Sequence, residues 1–398
     1  MLRCYGLARI GGYVGIVTQR GWLTQKNYAK LREQFVKAAD LRAVADLGPG
    51  AFEEVGGENV SVALSILRRT VRPESDTLWV GDYTDYASTD EKAHELRRSS
   101  NRFPVSLSVI ARLEKKQIFP GLPERLVALI ADSPRLRRQA EAEAGLWTGD
   151  DARFTRWFWE ASPGTGWKPL GKGGAFRRWY GLLQHVVRWE YGGASIKQLV
   201  CEKFPYIKGN YEWVVKNEGS YFLPGAAYSF SASASLGVRV WQPGCIFSGL
   251  APYIAISPSA GPIMAGILSS RLYTLFLRSL ADKLRLRADY VNDLPEVPDS
   301  LLRNTELAEY ALWCISSSQA RARIDPVESD FHPLVLPKTH QEYFSYVYPY
   351  DVIRLLIQER FENAVGIAFN LGSHERQVLD RKNGLFISFG TWVRWSTR

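Results

Sequence analysis

Three short β-branched runs separated by one helical stretch fix what the first seventy residues can become. Gly12-Tyr13-Val14-Gly15-Ile16-Val17 is one; Leu41-Arg42-Ala43-Val44-Ala45-Asp46-Leu47 is the second; Val60-Ser61-Val62-Ala63-Leu64-Ser65-Ile66-Leu67 is the third. Between the first two, Thr24 is placed to cap a helix whose apolar positions run through Tyr28, Leu31, Phe35 and Val36. Strand, helix, strand, loop, strand is an α/β pattern, and over residues 10–70 it is too short for a complete open sheet. The expectation is an incomplete Rossmann-like end of a larger domain, spanning residues 1–75.

Charged Ala/Leu/Arg-rich stretches such as Leu122–Ala144 then predict a helical connector over residues 76–145. Residues 146–300 are aromatic, glycine-rich and strand-like, with a helical part near Ile263–Asp282 and a closing turn at Asn292–Pro298. This composition predicts a mixed α+β recognition domain. Residues 301–398 read as a mostly helical carboxy-terminal region, with Pro-interrupted segments including Phe331–Pro337 and an amphipathic helix around Asp351–Phe361.

The middle of the chain carries the chemistry. Gly166-Trp167-Lys168-Pro169-Leu170-Gly171-Lys172-Gly173-Gly174-Ala175-Phe176-Arg177-Arg178-Trp179-Tyr180-Gly181 packs cations, planar rings and glycines into one segment. Cations neutralise phosphates, rings stack on bases, and glycines let a backbone approach a ligand closely. Arg153, Arg156, Trp157 and Trp159 precede it; Arg188, Trp189 and Lys197 follow. The segment predicts a surface on double-stranded DNA: Lys168, Lys172, Arg177 and Arg178 on phosphates or guanine edges, Gly173 and Gly174 for close approach, Trp179 and Tyr180 stacking or buttressing. The bland alternative puts the tryptophans in a core and leaves the lysines solvated at a strand edge. No GxxxxGK[ST] pattern surrounds Lys172, which excludes a P-loop.

Bulk properties bound the rest. The 398 residues carry a formal charge of +9, with 46% apolar and 23% charged residues, a basic globular composition suited to polyanionic partners. Four cysteines (Cys4, Cys201, Cys245, Cys314) lie far apart without a CxxC pair, and five histidines form no HExxH-like pair. No metal is therefore expected, the cysteines read as core residues, and a reducing cytoplasm is the natural setting. No apolar run reaches the roughly eighteen residues of a membrane span, and no signal peptide is expected. Val44-Ala45-Asp46-Leu47-Gly48-Pro49-Gly50 imitates a nucleotide or S-adenosylmethionine loop, but Pro49 removes a donor and Gly56-Gly57 arrives before any helix; a strand-to-loop turn is the default. Phe52–Asn59, with its paired acids, reads as a solvated loop, with a place beside a flipped base as the functional option.

The residues resemble a known group. Gly12–Gly15 with Thr18, Arg20-Gly21-Trp22 and Leu31-Arg32, then Asp46–Glu54, Trp167–Gly174 with Arg178–Gly181, Gly266–Ser270 and Asn292–Pro295 look like the carboxy-terminal part of PglX-type adenine-specific DNA methyltransferases of BREX phage defence and of related type IIG restriction-modification enzymes. The resemblance covers most of residues 10–300. It implies a Rossmann-like domain that binds S-adenosylmethionine and methylates N6 of a flipped adenine, followed by a domain that reads DNA. An Asn/Asp-Pro-Pro-Tyr motif would hold that adenine, and this sequence contains none. The implied function is a partial DNA adenine-N6 methyltransferase whose chain supplies DNA recognition. It would contribute no catalytic residue and bind no cofactor alone, and an upstream chain could carry the missing motifs. A split gene, a truncation and a remnant all remain open. A non-catalytic DNA-binding or assembly subunit of a defence system is the alternative; a self-sufficient transferase using Asp46–Gly50 is a third.

Overall fold

The computed structural model describes residues 1–383 apart from 39, 53–59, 72–74, 100, 163, 232–235, 242, 282–284, 326 and 331–339. The paired acids Glu53 and Glu54 and the Phe331–Pro337 segment lie outside the described residues. The chain divides into two units, one of Met1–Pro134 with Arg278–Asp282, the other of Arg135–Leu277 with Lys283–Arg398.

The first unit is built on five strands: β1 (Tyr13–Gln19), β2 (Asp40–Gly48), β3 (Val62–Arg68), β4 (Thr77–Asp82) and β5 (Arg102–Ser106). They lie in the order β1-β3-β2-β4-β5. All three runs read from the sequence are strands, and the helix between them is α2 (Ala29–Ala38), preceded by α1 (Leu2–Leu7). Thr24 does not cap it, because a short 3-10 turn at Lys26–Tyr28 intervenes. Only β2 and β4 run parallel; the other neighbours are antiparallel, so the sheet is mixed, in keeping with the α/β class expected. One expectation needs correction: residues 76–145 are not a helical connector. They supply β4 and β5, along with α3 (Thr89–Arg98), α4 (Leu107–Arg112) and α5 (Glu124–Asp132). The charged residues around Thr77–Asp82 hid a strand in which Leu78 and Val80 alternate into the core while Trp79 turns away.

One face of this sheet is packed. Leu41, Val44, Ala63, Leu67, Leu78, Val80 and Val105 meet Trp22, Leu23, Phe35, Leu107 and Ile110 in one apolar cluster. Arg32 is fully buried beneath it. Its guanidinium donates to the carbonyls of Trp22 (2.7 Å), Gln25 (2.9 Å) and Lys115 (2.9 Å), tying the turn before α2 to the segment after α4. Burial without a facing carboxylate lowers its pKa to about 10.

The second unit holds two four-stranded sheets. One orders β11 (Arg239–Trp241), β10 (Gly225–Ala227), β13 (Tyr253–Ala255) and β6 (Glu141–Glu143), all antiparallel. The other orders β12 (Ile246–Phe247), β8 (Trp167–Gly171), β9 (His185–Arg188) and β7 (Thr155–Trp157), with β12 and β8 parallel. A shared core of Leu146, Leu170, Val187, Tyr221, Trp241, Phe247 and Tyr253 joins them. The sheets meet so closely at Gly171 that a Cβ there would sit 1.8 Å from the Trp241 ring. Asn292 closes the β6 edge by imitating a strand: Ala142 N–H donates to its Oδ1 (2.7 Å), and its Nδ2 donates back to the Ala142 carbonyl (2.9 Å).

Short helices α6 (Asp151–Phe154), α10 (Ala288–Asn292) and α11 (Asp299–Leu302) and the longer α7 (Ala194–Lys203) decorate these sheets. A helical layer of α8 (Gly261–Leu268), α9 (Arg271–Leu280, which passes into the first unit at Arg278), α12 (Thr305–Ala322), α13 (His340–Ala368) and α14 (Ser373–Asn383) completes the unit. The carboxy-terminal helices therefore do not form a region of their own. Both α12 and α13 pack on α8, which is buried nearly all round and needs a second layer of apolar side chains. Among the described residues no helix is long and apolar enough to cross a membrane. Cys245 and Cys314 are buried as expected, whereas Cys4 is exposed on the amino-terminal helix.

Candidate nucleic-acid interface

The glycine-lysine-arginine-tryptophan segment begins as β8 and continues as a loop, and the structure separates its residues. Lys168 is exposed on β8, paired across the sheet with Val187. Lys172 turns inward to an ion pair: its Nζ lies 2.9 Å from Asp151 Oδ2 and 3.3 Å from Thr155 Oγ1. Burial pushes the Asp151 carboxyl up, but hydrogen bonds from Thr148 and Lys172 and the Lys172 charge outweigh it and hold the group below the usual range. Gly173 and Gly174 both adopt positive φ, 79° and 138°. A Cβ on Gly173 would lie 2.3 Å from the Leu250 carbonyl oxygen, so the close approach it permits is to the protein's own backbone.

Arg177 and Arg178 open onto a cleft of about 830 Å³ within the second unit. Phe176–Gly181 line one side, with Ser318, Arg321 and Ala322 of α12, Asp325 and Glu328 beyond it, and Gln358 of α13 on the other. Arg177 is 41% exposed at the side chain, and its Nη2 stands 3.5 Å from Asp325 Oδ2. The Arg178 guanidinium lies over the Phe176 ring at 5.3 Å, and its charge is felt by Glu362 of α13. The cleft wall thus carries three arginines and two carboxylates.

Trp179 and Tyr180 are 5% and 7% exposed. Trp179 has φ 73° and exchanges backbone bonds of 2.9 Å with Val238 and Val240, while its ring meets Phe361 at 5.6 Å. The Tyr180 hydroxyl donates to Asp330, and burial, reinforced by that bond, raises its pKa. In this arrangement both rings buttress the loop; neither presents a face on which a base could stack. Beneath them Glu328, 3% exposed, accepts the Leu182 N–H with both oxygens (3.2 and 3.0 Å). Arg239 lies wholly buried in β11, donating to Ser229 Oγ (3.3 Å) and the Gly237 carbonyl (3.4 Å); desolvation brings its pKa to about 10 against the opposing pull of Glu328.

Besides Phe176, at 45% exposure, exposed rings lie on and beside β7 of the same sheet. Trp157 of β7 is sandwiched between Trp159 (5.0 Å, 9° between planes) and His185 of β9 (4.3 Å, 28°). Trp157 and Trp159 are 39% and 52% exposed. Arg156 stands over the Trp167 ring at 5.8 Å. The two tryptophans and Arg156 were visible in the sequence as neighbours of the block, but His185 was not. Its position in the stack depends on the antiparallel pairing Trp157↔His185 across 28 residues of chain.

In the first unit, Asp46 and Asp82 sit side by side at the carboxyl ends of parallel β2 and β4. Asp46 is buried, bonded to the Arg20 guanidinium and to Gly48 N–H at 3.1 Å; burial raises its pKa and Arg20 opposes. Lys92 closes the pair, donating to the carbonyls of Leu47 (2.8 Å) and Tyr83 (3.0 Å). Gly48 and Gly50 turn the chain with positive φ, but a Cβ on Gly48 would sit 3.0 Å from the Thr84 methyl. The acid and the turn both face protein, Asp46 against Arg20 and Gly48 against Thr84.

No family model matches the chain. Two curated relatives do. The adenine-specific methyltransferase PglX of Lacticaseibacillus casei (strain Zhang) is 24% identical over 336 residues, covering 78% of this chain and 27% of that protein. The adenine-specific methyltransferase BrxX of Escherichia coli O9:H4 (strain HS) is 21% identical over 265 residues, covering 62% of this chain and 20% of that protein. The chain therefore spans about a quarter of the length of the curated relatives it matches. Among solved structures, the type IIL restriction-modification enzyme MmeI in complex with DNA superposes over 98% of this chain and 51% of its own, with a TM-score of 0.52 and 13% identity, a likeness of fold. The resemblance read from the sequence is thus supported: the chain is similar to a portion of the adenine-specific methyltransferases PglX and BrxX.

Proposed function

We propose that this chain is the DNA-recognition portion of a site-specific DNA adenine-N6 methyltransferase of the restriction-modification and phage-defence kind, and that it transfers no methyl group alone. The observation that carries the reading is the PglX match over 336 residues in a chain without an Asn/Asp-Pro-Pro-Tyr motif. The S-adenosylmethionine of the whole enzyme would be held outside this chain. The second unit supplies the duplex contacts. Lys168 on β8 and Arg177 at the cleft rim meet phosphates. Lys172, Gly173 and Gly174 shape the loop, and Arg178, Trp179 and Tyr180 hold it against the helices.

Electrophoretic mobility at rising salt tests this. Duplex affinity is expected to fall linearly on a log–log plot, with Lys168→Ala and Arg177→Ala each flattening the slope by about 1, the signature of one lost phosphate contact. Binding that ignores salt, or is unchanged in both variants, removes these residues from the interface. Robust methylation of duplex DNA by the purified chain alone would overturn the partial-enzyme reading.

A further inference from the structure

Trp159, Trp157 and His185 form a continuous stack at the rim of the β7–β9 ladder in the second unit, with centroid spacings of 5.0 and 4.3 Å. The backbone beneath it is fixed. The antiparallel register sets Trp157 opposite His185, the Glu160 carboxylate accepts the Trp157 N–H at 2.9 Å, and the Phe158 N–H donates to the Gln184 carbonyl at 3.1 Å. The outermost ring is the open one. Trp157 covers one face of Trp159 and Phe158 meets it edge-on at 4.9 Å, yet Trp159 remains 52% exposed. A ring so placed gains little from burial. Held parallel to a second tryptophan, it presents a flat apolar face that costs little further side-chain entropy to occupy. Positive charge is carried on the same elements: Arg153 is exposed in α6, its guanidinium 5.0 Å from the Phe154 ring, and Lys168 is exposed on β8. Lys172, held by Asp151, is near enough for its charge to act on the His185 ring.

We propose that the outer face of Trp159 is a stacking site for an unpaired base of single-stranded DNA. An aromatic platform beside cations holds a strand without reading its sequence, since rings take the base faces and cations take the phosphates. Within a duplex both faces of each base are covered by its neighbours. A ring of this kind therefore engages a base that is already unpaired, which separates the site from the phosphate contacts of the duplex. Trp157 and His185 are positioning rings: they lie behind Trp159 and keep its plane fixed. The choice of DNA as the strand rests on the function proposed above; the platform itself does not.

The test follows the fluorescence of a 2-aminopurine placed at the centre of a short oligothymidylate, a probe that dims when it stacks on an indole. Binding by the full chain should quench it. Trp159→Ala should weaken single-strand affinity by about tenfold, the loss of one base–aromatic stack, and should abolish the quenching. Trp159→Phe should keep part of both. The dependence of affinity on salt should have the same slope in Trp159→Ala as in the parent, because no charge is removed. Unchanged duplex affinity in that variant reports that the unit folds. Quenching and affinity that survive Trp159→Ala, or a parent chain that binds no single strand, would overturn the proposal. So would an equal loss for duplex and single strand, which makes Trp159 a general contact, or tighter binding of the matching oligoribonucleotide, which makes the strand RNA. A parent chain that ignores duplex DNA, yet quenches the probe through Trp159 with partial rescue by Trp159→Phe, would sink the recognition reading and leave this one standing.

Discussion

Phe247→Ala should lower the stability of the second unit by about 3–5 kcal/mol, the range for removing a buried aromatic ring without collapse of the site. Phe247 has no exposed surface. It stacks on Tyr253 at 4.9 Å and 21° and meets the Tyr221 ring edge-on at 5.1 Å. It also pairs with Gly171 in the parallel β12–β8 ladder, and its carbonyl accepts the Leu146 N–H at 2.9 Å. Little nearby can fill the vacated volume, because the backbone on each side is fixed by these ladders. Chemical denaturation followed by tryptophan fluorescence measures the loss. Trp213→Ala, at a 67% exposed position, should stay within about 0.5 kcal/mol and serves as the control. A Phe247→Ala loss below about 1 kcal/mol would mean that the two sheets do not share this core. Because β8 presents Lys168, duplex binding should also weaken in the core variant before global unfolding.

Fold and site were legible to different depths. Local alternation revealed β1, β2 and β3 because their apolar residues repeat with the pleat, and it revealed α2 through Leu31, Phe35 and Val36. It missed β4, since Trp79 and its charged flanks obscure a strand only six residues long. It also missed that α12 and α13 belong to the second unit, a fact of packing on α8 and not of periodicity. The cationic block stood out in the sequence as one segment, yet its chemistry could not be apportioned. Which cation meets solvent depends on carboxylates at Asp151 and Asp325, 21 and 148 positions away from their partners. The same holds for Arg239 and Glu328: nothing local distinguishes a buried arginine in an apolar strand from a solvated one. Trp179 and Tyr180 have the composition of a stacking surface, but Phe361 and Asp330, supplied from the far end of the chain, turn them inward.

Between about pH 4.5 and 7 the protein should lose stability on account of one buried carboxyl, and Glu362→Gln should remove that contribution to the slope. Glu362 of α13 is largely buried. Its oxygens accept the backbone N–H of Arg271 at the start of α9 at 3.0 and 3.1 Å. Burial raises its pKa from 4.5 to about 7, against the opposing pull of that N–H and of the Arg178 and Arg271 charges. A carboxyl raised on folding binds its proton more tightly in the native state. Its stabilising contribution is therefore complete below 4.5 and is lost as pH climbs through about 7. The gap corresponds to about 3 kcal/mol, enough to shift a thermal midpoint by several degrees. Glutamine keeps an oxygen for the Arg271 N–H and carries no charge, so its midpoint should be nearly flat across the same window. Thermal melts of both proteins at half-unit pH steps decide the matter, and parallel curves would remove Glu362 as the titrating group. Arg178 links this titration to the proposed interface: above pH 7 an ionised Glu362 draws that guanidinium towards α13. The cleft rim should then be held more firmly at alkaline pH even as the unit as a whole becomes easier to unfold.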